Sequence, residues 1–553
     1  MNNITINFTN SQKTASCAYG TKALDIIENF DLPFSDIAAI KVNNEIRPLG
    51  TTLFVNAAVE PVLLDSPEGA MIYRRTLSFV LAIAAQKIIP KNGVFIGHSL
   101  GNSYYYTFSS GEKPKIGDVE KLSQEMQNLI NQDLPISFKY LSYKEAVQMF
   151  KANNQTDTAL LLEQRSSSRI RVNECSGYMD IYIQPLLART SLLSAFELMP
   201  YQDGFLLRFP GIGKGKTLDP FVDEPQVFGV YNNYKNWGKL IGVRVVGELN
   251  ERITNRTFQE YIRITEANQA RRLADIARQI YEKRDDIKII LIAGPSSSGK
   301  TTSAKRLEIE LMVCGLKPIS IGLDDYYRGL ENTPKDEKGD PDYETLQALD
   351  VPYLNEQLQA LFHGEEISLP VYDFKTSSRT KTGGRKIKLE SNNILIVEGI
   401  HGLNDELTYS IDRNSKFKIY ISALTQLNLD DHNRIPTSDN RLLRRMVRDS
   451  QFRGTDASGT LKMWPKVQAG ERKYIFPFQN SSDATFNSAL DYELSVLKYY
   501  ADPLLRAVKP DKSEYAETSR LLSFLENFTP IPPQHVPGTS ILREFIGGSE
   551  FKY

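Results

Sequence analysis

The stretch that decides the fold is GPSSSGKTTSAKRL, which runs from Gly294 to Leu307. The spacing G-x4-G-K-[ST] is satisfied by Gly294, Gly299, Lys300 and Thr301. Its glycines allow the backbone N–H groups to turn toward a phosphate. An apolar run, IKIILIA, comes directly before the loop and is typical of a buried parallel strand. The stretch therefore predicts a strand, a phosphate-binding loop and a helix.

The loop and the start of the helix form the predicted nucleotide-binding segment. Lys300 is placed to reach the β- and γ-phosphates, and the hydroxyl of Thr301 can ligate Mg²⁺. The helix N-terminus adds partial positive charge. We expect nucleotide contacts from the whole segment, namely Gly294, Pro295, Ser296, Ser297, Ser298, Gly299, Lys300, Thr301 and Thr302.

Carboxylates follow two further apolar runs that are predicted as strands. PISIGLDDYY reaches Asp324 and Asp325, and NNILIVEGIHG reaches Glu398. Because ligands in open α/β sheets bind at the carboxyl ends of strands, such a carboxylate can reach a metal ion or an attacking hydroxyl. Glu398 is thus a candidate Mg²⁺ ligand, directly or through water. A surface-loop carboxylate is the alternative for Asp325, and His401 is predicted to be a loop histidine.

The segment RLLRRMVRDSQFRG, residues 441–454, concentrates positive charge on one face of a predicted helix. Its arginines at i, i+3, i+4 and i+7 are Arg441, Arg444, Arg445 and Arg448, with Arg453 at the helix end. Like charges at these spacings destabilise an isolated helix unless anions lie beside them, either phosphates or the nearby Asp439 and Asp449. Two interpretations stay open: a mobile lid that brings arginines to a transferring phosphoryl group, or a solvated basic face.

Length and composition set outer limits on the class of protein. At 553 residues the chain is long enough for several domains of about 150 residues. Its net charge of -1 argues against a nucleic-acid binder along its whole length. The cysteines are few and far apart, which fits a reducing compartment. The N-terminus lacks a signal-peptide core, and the apolar stretch 77–85 is too short to span a bilayer, so we predict a cytoplasmic protein without membrane association.

More than half of the chain comes before the phosphate loop. Residues 1–65 predict a small α+β unit, with a hairpin turn at Asn43-Asn44. Residues up to about 245 mix helices with short strands, and YMDIYIQPL at 178–186 is typical of a strand. GIGKGKT at 211–217 lacks the G-x4-G-K-T spacing and predicts a flexible basic turn. A long amphipathic helix then precedes IKIILIA.

Residues from about 286 to 505 resemble the uridine kinase and phosphoribulokinase family. The resemblance rests on ordered motifs: GPSSSGKTT, LDDYY, DPDYE, LPVYDF, ILIVEGI and RLLRRMVRDSQFRG. It implies an α/β P-loop kinase fold with a parallel sheet. It also implies ATP-dependent phosphorylation of a hydroxyl on a small molecule, with ATP and Mg²⁺ as cofactors.

The resemblance assigns roles to individual residues. Asp324, rather than Asp325, aligns with the family's catalytic aspartate. The resemblance implies that Thr301, Glu398 and Asp324 contact the bound metal ion. Further catalytic roles are implied for Lys300 and for the lid arginines Arg445, Arg448 and Arg453. The resemblance also implies that Tyr327, Asp342 and Tyr372 contact the acceptor, the small molecule that receives the phosphoryl group.

Two departures from the family concern the acceptor. Uridine kinases follow the YDF motif with a histidine that contacts the pyrimidine, and Ser377 stands there in this chain. A lid-region glutamine that helps to read the base falls at Met463. A site loses discrimination when such partners are replaced. A nucleoside-like acceptor is the expectation, and a sugar or sugar-phosphate kinase of the phosphoribulokinase type is the alternative among enzymes.

The front of the chain resembles the N-terminal region of threonyl-tRNA synthetases, and the whole combination resembles the TGS-containing, uridine kinase-like proteins of bacteria. DSPEGAMIYRRTLSFVLAIAAQ and EKLSQEMQNLINQDLPISFKYLSYKEAVQMF look like the synthetase editing domain. The predicted order is a β-grasp TGS domain at 1–65, a degenerate editing-like domain at 66–245, a connecting helix at 246–285, a P-loop kinase domain at 286–510 and a C-terminal tail at 511–553.

The TGS module leaves open an alternative from another class, an RNA-associated NTPase switch. The near-neutral charge of the chain disfavours RNA binding. Formation of a homo-oligomer also stays open.

The editing-like region lacks the residues that the synthetase site uses. That site has an HxxxH pair and a later CxxxH pair, and histidine and cysteine are side chains that bind zinc. The matching positions here are Arg75, Phe79, Tyr182 and Leu186. None of these is a usual zinc ligand, so we expect a binding or structural module without zinc-centred or tRNA-editing chemistry.

Overall fold

The computed structural model describes residues 3–90, 92–336, 339–373, 376, 378–380 and 384–552, and its front unit is a five-stranded sheet. The strands are β1 (Asn3–Phe8), β2 (Lys13–Ala18), β3 (Ile37–Val42), β4 (Glu45–Arg47) and β5 (Ala57–Leu63). Their order is β2-β1-β5-β3-β4, with β1 antiparallel to β2 and parallel to β5. Asn43 and Asn44 both have positive φ and close the predicted hairpin.

The next region carries two small antiparallel sheets, with the strand orders β11-β12-β7-β6 and β10-β9-β8. Its elements are α1 (Pro67–Ile88), β6 (Val94–Ser99), β7 (Ser103–Phe108), α2 (Ile116–Asn131), β8 (Ser137–Ser142), α3 (Tyr143–Ala152), α4 (Thr156–Glu163), β9 (Arg169–Cys175), β10 (Tyr178–Asp180), β11 (Glu197–Tyr201), β12 (Gly204–Arg208) and α5 (Pro225–Ile241).

Two predictions for this region need correction. The strand predicted at 178–186 stops at Asp180, because the residues beyond it leave the sheet and pack into the core. The single connecting helix predicted at 246–285 consists of α6 (Val246–Thr254) and α7 (Phe258–Glu282). They are separated at Arg256, whose φ of 60° is incompatible with a continuous right-handed helix.

The second half is built on a parallel sheet of order β14-β19-β13-β20-β21, which confirms the predicted fold class. Its elements are β13 (Ile289–Ala293), α8 (Lys300–Val313), β14 (Lys317–Gly322), α9 (Val351–Phe362), β15 (Ile367–Ser368), β16 (Val371–Asp373), β17 (Ser378–Thr380), β18 (Lys386–Ile387), β19 (Asn393–Glu398), β20 (Lys416–Ser422), α10 (Thr437–Phe452), α11 (Ala457–Tyr474), β21 (Ala484–Asn487) and α12 (Glu493–Arg506). The strands β13 and β20 are buried along their whole length, as expected of a sheet covered on both faces.

The segment after residue 510 is more ordered than the predicted tail. It contains α13 (Tyr515–Leu525) and the short α14 (Arg543–Ile546). Ile541, Leu542 and Phe545 are fully buried and belong to the main hydrophobic core. The final segment is therefore a packed part of the second half.

A loop of the second half, between β20 and α10, docks onto the front of the chain. The N–H of Val246 donates to the carbonyl of Asn428 at 2.8 Å. The Nδ1 of His432 lies 2.7 Å from the carboxylate of the buried Asp180. Burial opposes the charge on His432, but the neighbouring aspartates outweigh that effect and raise its pKa to about 9. A buried ion pair thus joins the two halves.

None of the helices in the described ranges combines the length and the apolar character that a bilayer crossing requires.

Candidate active site

The phosphate loop joins the end of β13 to the start of α8, as the sequence predicts. Gly299 has a φ of 80°, in the left-handed region that favours glycine. A Cβ on Gly294 would lie 1.9 Å from the carbonyl oxygen of Ile421 in β20. Both glycines are therefore required by geometry, the first by close approach to β20 and the second by its backbone conformation.

Lys300 and Thr301 lie where the loop enters the helix. The Nζ of Lys300 donates to the carbonyl oxygens of Gly294 and Pro295, at 3.0 and 3.3 Å. The hydroxyl of Thr301 donates to the carboxylate of Glu398 at 3.2 Å. The structure thus brings together a cation, a hydroxyl and a carboxylate from the ends of two neighbouring strands, β13 and β19.

The electrostatic environment of Glu398 couples it to the rest of the site. Burial raises the pKa of Glu398 to about 7. Within that shift, Lys300 acts to lower the pKa of Glu398, and the charges of Asp324 and Glu544 act to raise it. The pKa of Glu398 therefore responds to the charges of all three groups.

Asp324 and Asp325 follow β14, in the 3₁₀ helix Leu323–Tyr326, and have different surroundings. The surface of Asp324 is exposed, but desolvation by the surrounding protein atoms raises its pKa, with Lys300 acting against the shift. Asp325 accepts a hydrogen bond from the backbone N–H of Tyr372 at 3.2 Å. Asp324 therefore shares its environment with the phosphate loop, whereas Asp325 fixes the start of the β16–β17 hairpin.

Aromatic side chains form a wall beside these carboxylates. The ring of Tyr327 lies 5.6 Å from that of Tyr372 and 5.7 Å from that of Tyr343, measured between centroids. The hydroxyl of Tyr327 also donates to the carbonyl of Tyr343 at 3.1 Å. The two tyrosines predicted to contact the acceptor are thus brought together, and Tyr343 is a third member of the wall that the sequence did not single out.

Glu344 is a second residue that the sequence reasoning missed. Asp342, the predicted acceptor residue, accepts hydrogen bonds from the hydroxyl of Tyr474 at 3.3 Å and the N–H of Glu344 at 3.0 Å. Burial raises the pKa of Glu344 to about 7, and Arg445 and Lys300 both act to lower it. Glu344 is therefore the carboxylate of the DPDYE motif whose pKa responds to the charges of Lys300 and Arg445.

Two arginines of α10 are buried supports of the loop, which neither interpretation of the basic segment predicted. Arg441 is paired with Glu471 and donates to the carbonyl of Ser296 at 2.9 Å. Arg444 is paired with Glu493 at 2.5 Å and donates to the carbonyl of Ser297 at 3.3 Å. Each guanidinium thus has both a carboxylate partner and a loop carbonyl.

The predicted lid arginines gather around one buried carboxylate. Asp449 lies within 4 Å of three of them, at 3.2, 2.8 and 3.7 Å from Arg445, Arg448 and Arg453. Arg445 also donates to the hydroxyl of Ser296 at 2.8 Å. The side chain of Arg453 is 58% exposed, and its charge acts on Asp324. Arg445 therefore contacts the loop directly, and Arg448 and Arg453 share its carboxylate partner Asp449.

Three further residues from the sequence predictions are Met463, Ser377 and His401. Met463 is on α11 with 41% of its surface exposed. Ser377 lies outside the described residues. His401 is a buried loop residue, as predicted, and its ring packs against Tyr474 with the centroids 6.1 Å apart.

The positions of the synthetase editing residues are filled by packed side chains. Phe79 and Tyr182 are buried and meet edge to face with centroids 5.8 Å apart. Leu186 is buried in the same cluster, and Arg75 donates to the carbonyl of Pro185 at 3.0 Å. The region therefore uses these positions for core packing.

We expect the full-length protein to purify without stoichiometric zinc and to leave threonine tRNA mischarged with serine intact. The reason is that the four substituted positions offer no histidine or cysteine to a metal or an ester. Metal analysis and a deacylation assay check this, with an editing-competent threonyl-tRNA synthetase as positive control. One bound zinc per chain, or deacylation above the spontaneous rate, would contradict it.

Comparison with known proteins divides the chain into a front part and a kinase-like part, as the sequence motifs do. Residues 289–495 match the Phosphoribulokinase / Uridine kinase family. The threonine–tRNA ligase of Desulfovibrio desulfuricans is 33% identical over 141 residues, which cover 26% of this chain and 22% of the ligase. That of Francisella tularensis subsp. novicida is 24% identical over 181 residues, which cover 32% of this chain and 28% of the ligase. The chain spans about a quarter of the length of these relatives.

Solved structures of kinases are also similar to parts of the chain. One is described as a possible uridine kinase from Bacillus stearothermophilus, with 20% identity and a TM-score of 0.22, covering 36% of this chain and 89% of that one. Another is D-glycerate 3-kinase from Cryptococcus neoformans, with 16% identity and a TM-score of 0.23, covering 46% of this chain and 87% of that one. Residues 289–495 are therefore similar to the Phosphoribulokinase / Uridine kinase family, and the part of the chain before them is similar to threonine–tRNA ligases.

Proposed function

We propose that this chain is an ATP-dependent kinase that phosphorylates a hydroxyl of a nucleoside-like small molecule. One observation carries the proposal. The carboxyl ends of three adjacent strands bring one cation, one hydroxyl and two carboxylates to the same place, namely Lys300, Thr301, Glu398 and Asp324. Phosphoryl transfer depends mainly on positioning and charge, and this set supplies both.

The donor side fits a magnesium-bound nucleoside triphosphate. Hydroxyl and carboxylate oxygens are ligands that Mg²⁺ accepts, and Thr301 and Glu398 already lie in contact. Within the described ranges, no group of three or more His, Cys, Asp and Glu side chains could hold a metal ion by itself. Mg²⁺ in nucleotide sites needs only one or two carboxylates, because the phosphates complete its shell. Bound Mg²⁺ would neutralise charge on the transferring phosphoryl group.

The reaction that this geometry supports is a displacement at the terminal phosphorus of ATP. The acceptor oxygen forms a bond to that phosphorus while the phosphorus–oxygen bond to ADP breaks. The acceptor proton passes to Asp324, whose raised pKa improves it as a base. Lys300 and the arginines beside the loop, Arg445, Arg448 and Arg453, hold the negative charge of the phosphates. The products are ADP and the phosphorylated acceptor.

The acceptor side is the aromatic wall of Tyr327, Tyr343 and Tyr372. Aromatic faces stack on planar rings, and this supports a nucleoside-like acceptor. A sugar-bearing acceptor without a base is the second candidate. The exposed Met463 favours it, because this position supplies no hydrogen-bonding side chain to a base.

The test is a screen of ATP consumption with nucleosides, sugars and sugar phosphates as acceptors. Each product is identified by mass, and a gain of one phosphoryl group in one class of acceptor is the expected result. The Lys300→Ala protein serves as the blank for contaminating kinases. ATP hydrolysis without a phosphorylated product from any class would reject the kinase proposal.

We expect kcat/KM for ATP to rise with pH through neutrality. Because burial raises the pKa of Glu398 to about 7, the carboxyl group of Glu398 loses its proton as the pH increases past that value. Only the ionised carboxylate can take a cation, so the deprotonated form is the active one. A profile of kcat/KM over about pH 5.5 to 9 checks the prediction. Glu390→Gln, on an exposed side chain, is the control and keeps the profile, whereas a wild-type profile that is flat across neutral pH would contradict it.

A further inference from the structure

We propose that Glu544 is a built-in competitor for nucleotide, a carboxylate that occupies phosphate-binding groups until the final segment of the chain is displaced. The inference rests on the proposed nucleotide site. It concerns residues 533–552, which follow the kinase-like sheet and return to the phosphate loop. Its consequence is that nucleotide affinity is set by the C-terminal segment as well as by the loop itself.

The contact lies at the start of α8. The carboxylate of Glu544 accepts hydrogen bonds from the backbone N–H of Thr302 at 3.1 Å and from its hydroxyl at 2.7 Å. The first amides of a helix have no partner within the helix, and in a phosphate loop they hold the α- and β-phosphates. A carboxylate of the chain therefore takes the place of a phosphate oxygen.

Apolar neighbours of Glu544 press the segment against the glycine turn. The side chain of Ile541 would lie 2.5 Å from a Cβ placed on Gly299. The ring of Phe545 covers the guanidinium of Arg444 at 4.9 Å, and both side chains are fully buried. The segment therefore packs on the loop at Gly299 and brings Glu544 to Thr302.

The charge of Glu544 also affects a second carboxylate of the site, that of Glu398. After burial and together with Asp324, it raises the pKa of Glu398. A triphosphate at the loop would bring several negative charges next to the carboxylate of Glu544. Like charges repel strongly in a partly buried site. Nucleotide and Glu544 therefore exclude each other at the amide of Thr302.

The segment is held in shape by its own hydrogen bonds. Arg543 donates to the carbonyls of Pro533 at 3.0 Å, Val536 at 2.6 Å and Gly547 at 3.1 Å. These bonds are internal to residues 533–547, so they survive when the segment separates from α8. Displacement thus breaks the contacts to the loop and the core and exposes the backbone amides of the segment to solvent.

The experiment measures ADP binding to the full-length protein by titration calorimetry in the presence of Mg²⁺. Glu544→Gln removes the charge and keeps the shape, and we expect it to bind ADP about tenfold more tightly than wild type. Glu550→Gln, an exposed carboxylate of the same segment, is the matched control and should bind like wild type. Hydrogen exchange of residues 533–552 in the wild-type protein should increase when ADP is added.

Two results would overturn the inference. One is equal ADP affinity in wild type and Glu544→Gln, which would make Glu544 only a cap for α8. The other is exchange in residues 533–552 that is unchanged or slower with ADP. The second measurement needs no variant, so it holds even if Glu544→Gln does not fold. Failure of the proposed function gives a different pattern, in which wild type and Lys300→Ala show the same absence of ADP binding.

Discussion

Replacing Lys300 by alanine is expected to lower kcat for phosphoryl transfer by at least about 10³-fold while leaving the protein folded. Such a loss corresponds to about 4 kcal/mol of transition-state stabilisation. The ammonium of Lys300 lies within the loop and acts electrostatically on both Asp324 and Glu398, so its charge is central to the site. Its only hydrogen bonds within the described residues are to loop carbonyls, and their loss costs little stability.

Lys305→Ala provides the matched control for this prediction. Lys305 is on the same helix, α8, and is paired with Glu308 at 3.5 Å instead of contacting the loop. Turnover of this variant should stay within about twofold of wild type. Circular dichroism and thermal unfolding of both variants establish that the fold is retained. Near-normal turnover in Lys300→Ala would remove the phosphate loop from the mechanism.

The features that the sequence predicts well are local in the chain. The phosphate loop needs only the eight residues from Gly294 to Thr301, and the apolar run before it becomes the buried strand β13. The carboxylates Asp324 and Glu398 were found because each follows an apolar run, and the parallel sheet then places those strand ends side by side. Hydrophobic periodicity and motif spacing are enough to predict a site residue when that residue lies at the end of a strand or helix.

The features that the sequence did not predict depend on partners far along the chain. The N–H of Ser296 donates to Glu471 at 2.9 Å across 175 residues, and Thr302 donates to Glu544 across 242. Neither glutamate belongs to a motif that would single it out. Only the packing of α11 and of the final segment against the loop brings them there.

The basic segment shows the same difficulty, because neither alternative predicted the role of its two buried arginines. The sequence shows that arginines recur on one face of α10, and it allows either a lid or a solvated face. In the structure, Arg441 and Arg444 are buried because Glu471 and Glu493, from other helices, neutralise them. Buried charges are tolerated when they are paired and hydrogen-bonded, and no local pattern identifies such partners.

Asp324→Asn is expected to lower kcat by about 10²- to 10⁴-fold, with the KM for ATP nearly unchanged. The substitution keeps the shape of the side chain and removes its capacity to accept the acceptor proton. Asp324 is exposed at the end of β14, where an acceptor can reach it, and the charges of Lys300 and Arg453 both act to lower its pKa. Steady-state kinetics with the acceptor found in the screen measure both constants.

Asp325→Asn is the matched control, because it makes the same chemical change one residue along. Asp325 accepts a hydrogen bond from the N–H of Tyr372, and the amide oxygen of asparagine can accept the same bond. We therefore expect a loss of less than about tenfold, seen mainly in the KM for the acceptor because Tyr372 belongs to the aromatic wall. Equal losses in the two variants, or a larger loss at Asp325, would refute the assignment of Asp324 as the base. A large increase in the KM for ATP in Asp324→Asn would instead place this carboxylate on the metal rather than on the acceptor hydroxyl.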